Sequence, residues 1–298
     1  MSRTLIGIVS YGGLPFLELC LRSIRDTVTK SHDILVIVAK PDDFEMKMFL
    51  MERQISFVPH YQNMGFPASV NDLYDKAFTT GDYDNLIICG NDIVALPGAI
   101  DSLIQTADST EFEMVCGSEY NARFLVNNYP EARKYFRGDN LIFSDFTARP
   151  WELHTERRYG IEPHQRKDVR NMTLFKRSSF EKVGYDDVNY WPNGYYADND
   201  YCRRCDLAGV SACGVAEAVF FHFASRTIFQ NIQRNHGGYS ANNHWFFREA
   251  WGGDPGHETY SARFHGDTYK LGELILPGEN RISTRDQEQA IIQYWSTR

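Results

Sequence analysis

The sequence predicts an α/β protein, a mixed and mostly parallel sheet flanked by helices, followed by a C-terminal extension. Two observations carry that expectation. Through the first third of the chain, short apolar runs alternate with amphipathic segments, the rhythm of strands joined by helical crossovers. Runs such as DILVIVA are apolar on both faces, which suits strands covered by helices above and below. With 298 residues, 43% of them hydrophobic, the chain can bury a core of that size, in one large domain or two smaller ones.

The elements follow in order. TLIGIVS (residues 4–10) is the first strand candidate. Leu17, Leu21, Ile24 and Val28 then repeat at helical spacing, and DILVIVA (33–39) is the second strand. DDFEMKMFLMER (42–53) predicts a helix and ISFVP (55–59) a short strand. Ala68 to Phe78 predicts a helix with Val70, Leu73 and Ala77 on one face. NLIIC (85–89) is the next strand, Pro97 starts a helix running to Ala107, and FEMVCGS (112–118) closes this half.

Residues 119–170 lose this rhythm and are rich in Arg, His, Pro and aromatics, as an insertion facing an acceptor would be. Regularity returns with NMTLFKR (171–177) as a strand, SSFEKV (178–183) as a short helix, Asp200–Leu207 as a helix and VAEAVFFHF (215–223) as a strand. From Ile228 the tail is dense in Asn, Gly, His and aromatics until STRDQEQAIIQYW, where Thr284 and Gln287 predict a capping-box start to a last helix.

Composition narrows the function classes. No apolar run approaches the roughly 18 residues of a membrane span, and MSRTLIGIVSYGG lacks the zones of a secretory signal, so a cytoplasmic protein is expected. The six cysteines are scattered and several lie in apolar segments, which favours reduced thiols over a disulfide framework. Cys202 and Cys205 in CRRC also suit a metal, but they form a single pair on a predicted helix. A net charge of −8 argues against a protein that coats nucleic acid. Arg123 to Arg177 nonetheless holds twelve Lys and Arg against seven Asp and Glu, either an ordinary solvated surface or one that meets an anionic acceptor or a diphosphate.

The chemistry concentrates where strands end. LIICGNDIVA (86–95) runs from a buried strand into Gly90-Asn91-Asp92. In open α/β sheets ligands gather at the carboxyl ends of strands, so Asp92 is placed to hold a hard divalent cation shared with substrate phosphates; a simple turn cap is the alternative.

Several ordered segments extend this reading: SYGG, NMGFPASVN (63–71), GND, FEKVGYDD (180–187) and YYADNDYCRRC (195–205). Together they resemble the inverting glycosyltransferases of family two, over residues 4–225, and the resemblance implies the GT-A fold. NNHWFFREAWGG (242–253) further resembles a Trp-Gly-Gly segment of some bacterial and phage members, with Ala250 at a usual Lys. The implied domains are a glycosyltransferase domain over 1–227 and an extension over 228–298 packing on it. Within the first, 1–118 is the nucleotide-sugar half, 119–170 the insertion and 171–227 the acceptor and catalytic half.

By the same resemblance Ser10 and Tyr11 meet the base or ribose of a nucleotide-sugar, with Gly12 at a usual Asn. Asp42 matches an acid after the second strand that binds base or ribose. Asn63, Gly65 and Asn71 match the loop and helix near the nucleotide. Asn91 stands where some members carry a second Asp, and Asp92 and His222 match the holders of Mn²⁺ or Mg²⁺ or of the diphosphate. Ala197 replaces a usual Glu, Asp198 falls on the catalytic base and Asp200 on the acid that opens a helix. A carboxylate ionised at pH 7 can accept a hydroxyl proton, whereas both aspartates also suit helix capping. Trp251 is either a loop that closes over sugar or a core plug.

The implied activity is metal-dependent single displacement with inversion, from a nucleoside-diphosphate sugar, UDP being the commonest base, to an acceptor hydroxyl. Two rivals stand beside it. A non-catalytic relative that binds nucleotide or sugar accommodates the departures at Gly12, Ala197 and Ala250. A sugar nucleotidyltransferase is disfavoured because SYGGLPF carries no Arg or Lys.

Overall fold

The computed structural model describes residues 2–119, 161–163, 172–223 and 236–298. Strand β1 (Thr4–Ser10) is the centre of the first half: all seven residues are buried, as an apolar run needs when helices cover both faces. Helix α1 (Leu14–Thr27), β2 (Asp33–Val38), α2 (Phe44–Glu52), β3 (Ser56–Pro59), α3 (Gly65–Tyr74), β4 (Asn85–Gly90), β5 (Ile93–Ala95) and α4 (Ala99–Ser109) follow. Then come β6 (Met114–Glu119), β7 (Ile161–Pro163), β8 (Thr173–Lys176), α5 (Arg177–Val183), α6 (Ala197–Leu207) and β9 (Ala212–His222). The extension supplies α7 (His236–Trp251), the hairpin strands β10 (Tyr269–Leu271) and β11 (Leu274–Leu276), and α8 (Glu288–Ser296).

The sheet runs β3-β2-β1-β4-β8-β6-β9-β5, with β7 also on β9. Its first four strands are parallel, β8 reverses the direction, and β9 is parallel to β6 but antiparallel to β5 and β7. The main core lies in two layers. Leu17, Cys20 and Ile24 of α1, Met46 and Leu50 of α2 and Leu103 of α4 pack on one face. Val70, Leu73 and Tyr74 of α3, Phe180 of α5 and Tyr201 of α6 pack on the other. Gly7 explains how tightly α3 sits, because a Cβ there would lie 2.6 Å from Leu73 Cδ1.

A further cluster holds the extension: Phe246, Phe247, Ala250, Trp251, Phe264, Ile291 and Ile292 meet Ala68, Val188, Tyr190, Trp191 and Ala197. All six cysteines are buried free thiols, with Cys202 and Cys205 inside the aromatic layer of α3, α5 and α6. No helix of the described residues is long and apolar enough to cross a membrane.

Several boundaries differ from expectation. The helix expected from Ala68 starts at Gly65, and after Tyr74 it widens into a π turn over Asp75–Thr79. Pro97 precedes its helix, since Gly98 takes φ 81° as the cap. The last helix starts at Glu288: the Thr284 hydroxyl accepts the Asp286 N–H at 3.2 Å, a local turn that replaces the expected capping box. Asn242–Trp251, which resembled part of a closing loop, lies in α7, where Asn243, Phe246, Phe247, Ala250 and Trp251 are all buried at helical spacing. The expected insertion lies almost wholly outside the described residues, which include only Glu119 and Ile161–Pro163 of it.

Candidate active site

Strands β1, β2 and β4 are parallel, so their carboxyl ends open on the same edge. At the end of β4, Asn91 and Asp92 are buried. Asn91 Nδ2 donates to Ser10 Oγ at 2.8 Å and to the Gly12 carbonyl at 2.6 Å, while its backbone N–H donates to Val9 O at 3.1 Å. This clamp joins the exits of β1 and β4. It also holds a turn in which Gly12 and Gly13 take φ 76° and 75°, a pair of left-handed positions that favours glycine at both. Ser10 has no exposed surface, so its hydroxyl supports the turn, and Tyr11 follows it, half-buried.

Asp92 is fixed from the other side. Its carbonyl accepts the Phe223 N–H at 2.9 Å, and antiparallel pairing puts Ile93 opposite His222. His222 Nε2 lies 3.2 Å from Asp92 Oδ1, with the imidazole about one-fifth exposed. Two residues far apart in sequence thus present one oxygen and one nitrogen side by side. Beneath them the Cys20 thiol is pushed well above its ordinary range by a hydrogen bond to Cys89, by burial and by the Asp92 charge, which leaves it protonated and inert.

The Asp92–His222 pair fits a divalent cation. Adjacent ligands of an octahedral ion bound at 2.0–2.1 Å stand about 3 Å apart, close to the observed separation. Among the described residues no group of three or more His, Cys, Asp or Glu forms a cage, so remaining ligands would come from substrate phosphate and water, a common arrangement for Mg²⁺.

The exits of β2 and β3 complete this edge. Asp42 is exposed just before α2, whereas Asp43 caps that helix by accepting the Met46 N–H at 3.2 Å. Burial raises the Tyr11 pKa, and the charges of Asp42 and Tyr239 act in the same direction. Asn63 Oδ1 accepts the Gly65 N–H at 3.1 Å, and the Asn63 carbonyl accepts Trp191 Nε1 at 3.2 Å. Gly65 is required here: at φ +82°, a Cβ would lie 2.6 Å from Trp191 Cδ1 and 2.9 Å from Pro192 O. The loop carrying Trp191 therefore seats the Asn63 loop.

Asp198 and Asp200 share the first turn of α6 and differ sharply in setting. Asp198 is partly exposed. Asp200 is fully buried; it accepts Arg204 Nε at 2.8 Å and Trp251 Nε1 at 2.9 Å, and lies 3.5 Å from Arg263 Nε. Arg263 also pairs with Asp187. Burial pushes the Asp200 carboxyl upward, but the Arg263 and Arg204 charges outweigh it and hold the pKa below the ordinary value. Asp200 is thus an internal counter-ion, and Trp251 is a core plug bonded to it. Asn71 is likewise engaged internally: its amide donates to Glu288 Oε1 at 2.7 Å and Asp186 O at 3.1 Å and accepts the Asp186 N–H at 2.7 Å.

The structure gathers Tyr11, Asp42, Asn63, Gly65, Asp92 and His222 on strand exits and the loops beside them, and turns Ser10, Asn71, Asp200 and Trp251 into supports. Arg263, Trp191 and Tyr239 escaped the sequence reading. The signal for Tyr239 was its place on the helical face that continues through Asn243, Phe246, Phe247 and Ala250. For Arg263 there was none, since its partners come from distant segments.

No family model and no curated protein matches this sequence. Solved structures do share the fold. TarS 1–349 of S. aureus in complex with UDP aligns at TM-score 0.52 and 8% identity, covering 84% of this chain and 71% of that one. The mannosyltransferase PcManGT of Pyrobaculum calidifontis, in complex with GDP-Man and Mn²⁺, aligns at 0.53 and 13% identity, covering 84% and 61%. GalNAc-T7 with UDP, GalNAc and Mn²⁺ aligns at 0.54 and 10% identity, covering 74% and 44%. At such identities the likeness shows the fold alone, and that fold is GT-A.

Proposed function

We propose that this GT-A chain is a metal-dependent inverting glycosyltransferase that moves a sugar from a nucleoside-diphosphate donor to an acceptor hydroxyl. One observation carries the reading: Asp92 and His222 stand 3.2 Å apart at the strand edge where nucleotides bind in such sheets. The bound Mn²⁺ in two neighbours of the same fold supports the metal, and their UDP and GDP-Man ligands support the donor class.

In this reading Tyr11, Asp42 and the Asn63–Gly65 loop bind the nucleoside, and Asp92 and His222 hold the cation. When bound, the cation supplies Lewis-acid stabilisation to the departing diphosphate. Asp198 accepts the proton of the acceptor hydroxyl as its oxygen attacks the anomeric carbon. The new C–O bond forms as the bond to the diphosphate breaks, inverting the centre. Asp200, with Arg204 and Arg263, fixes the first turn of α6 and so aims Asp198. The domain division at 227/228 and the anionic acceptor expected from the basic insertion belong to the same proposal.

The test is thermal unfolding with UDP, GDP, dTDP or CDP, each with and without Mn²⁺, on the wild type and on Asp92→Ala. At a hundredfold excess over Kd, binding stabilises the folded state by about 2.7 kcal/mol. A metal-dependent shift for one nucleotide, absent in Asp92→Ala, is the expected result. No shift for any nucleotide at saturation refutes the proposal.

A further inference from the structure

Helix α2 carries an apolar face that the fold leaves uncovered. Its Met46, Phe49 and Leu50 are buried in the core, yet Phe44, Met48 and Met51 on the other side are 73%, 53% and 59% exposed. Spacings of four and then three residues align these three in one stripe along the helix. Of the seven large hydrophobic residues exposed among those described, four fall between residues 44 and 61, the fourth being Tyr61 just after β3. Single exposed hydrophobes are ordinary, whereas a grouped set marks an interaction surface. Strand β3 ends the sheet and α2 packs on it, so the stripe lies at one edge of the molecule.

The charges beside the stripe say what covers it. On the heptad of a two-stranded coil, Phe44 and Met51 take d and Met48 takes a, which puts Lys47 at g and Glu45 and Glu52 at e. Met46, Phe49 and Leu50 then fall on f, b and c, the side turned away from a partner helix, in agreement with their burial. A parallel copy of the same helix brings each g beside the following e of the other chain, so Lys47 meets Glu52 of the second copy, twice across a two-fold axis. An antiparallel copy would set lysine on lysine and glutamate on glutamate. Lys47 stands ready at the rim: its Nζ lies 5.5 Å from the centre of the Phe44 ring and donates to the Pro41 carbonyl. Between Lys40 and Gln62 there are three Lys and Arg against four Asp and Glu, so no positive field draws an anionic membrane to this edge.

We propose that the Phe44–Met48–Met51 face of α2 is a self-association surface, on which a second copy of this chain docks with the two α2 helices parallel. The apolar stripe supplies the attraction, and the reciprocal Lys47–Glu52 pairs set the orientation. Three side chains make a small centre beside the roughly 800 Å² per partner of a standard interface, so the dimer dissociates in the range of about 1–100 μM.

The test is sedimentation equilibrium of the full chain from about 1 to 300 μM, with circular dichroism to confirm that each variant folds. The wild type is expected to show a monomer–dimer equilibrium, and Met48→Glu, at the centre of the stripe, to weaken it at least about tenfold. Lys47→Glu or Glu52→Lys alone sets like charges together and should weaken it about fivefold, whereas the double reversal should return it to within about twofold of wild type. Met48→Cys places one thiol of each copy in the same layer, and the six native cysteines are all buried. Diamide should therefore link Met48→Cys into a covalent dimer faster than Ile275→Cys, an exposed position on β11 that controls for random collision. A wild type that stays monomeric over this range overturns the proposal, and so does a dimer that a folded Met48→Glu leaves intact. If Met48→Glu does not fold, the charge reversals decide. A double reversal that fails to restore the dimer, or cross-linking no faster than the control, overturns the parallel docking. Vesicles of phosphatidylcholine and phosphatidylserine form the last arm: a chain monomeric in solution that sediments with them through Met48 assigns the face to a membrane and overturns self-association.

Discussion

Replacing Asp200 with Asn separates the two aspartates of α6. The carboxylate is fully buried with Arg204 Nε at 2.8 Å and Arg263 Nε at 3.5 Å, and Arg263 shares Asp187. An amide of the same shape removes the charge and leaves two buried guanidinium groups short of one counter-ion. Breaking a buried pair this way costs about 3–5 kcal/mol. Unfolding entropy of about 2.1 cal/mol/K per residue, over 298 residues, converts that cost to a fall in Tm of about 5–8 °C. Asp198→Asn removes only a partly exposed charge near a helix N-terminus, worth about 0.3–1 kcal/mol, so Tm should drop by less than about 2 °C. Turnover of Asp198→Asn should fall by about 10²–10⁴ if it is the base. Thermal unfolding followed by circular dichroism, beside a coupled assay for released nucleoside diphosphate, reads both. An Asp200→Asn protein with unchanged Tm and no turnover would exchange the two roles and refute the reasoning.

Gly65→Ala combines a left-handed φ of +82° with a clash of its Cβ against Trp191 and Pro192, so it should cost about 1–3 kcal/mol and weaken nucleotide binding together; a urea unfolding curve that overlays the wild type would contradict this. Acid should unfold the protein through Asp200 and Asp72. Burial acts upward on Asp72, but its hydrogen bond from His60 and the Arg285 guanidinium outweigh it, so its folded pKa, like that of Asp200, lies below the ordinary value. Such groups stabilise the fold fully above their unfolded pKa, about 3.9, and the contribution is lost as pH falls through the depressed folded values. The urea midpoint should therefore drop below about pH 4, and Asp72→Asn should flatten part of that drop; a midpoint level down to pH 3 would refute the assignment.

Much of the first half was legible in sequence because its signals are local. The strand runs of β1, β2 and β4 and the turn after β4 announce themselves by hydrophobicity and by an Asn-Asp break, and their parallel order puts Asp92 at the carboxyl-end edge of the sheet. Helix α7 was missed although its face is periodic in the sequence. Its buried face mixes Asn243 with aromatics and starts amid glycines, so polarity masked a helical period that only contact with Val188, Tyr190 and Trp191 makes apolar.

The division between Asp198 and Asp200 shows the same limit at the site. Two residues apart in a helix, they carry identical chemistry and similar capping potential, and local sequence assigns neither. What separates them is Arg204, one turn on in the same helix, together with Arg263 and Trp251, which arrive from the extension and bury Asp200 as their counter-ion. The sequence by itself determined the alternation of strands and helices and the residue types at the strand exits, because periodicity and turn chemistry act over a few residues. The tertiary structure alone decided which polar groups are neutralised inside and which stay open to a ligand, because burial and charge pairing depend on partners that the chain brings together from far apart.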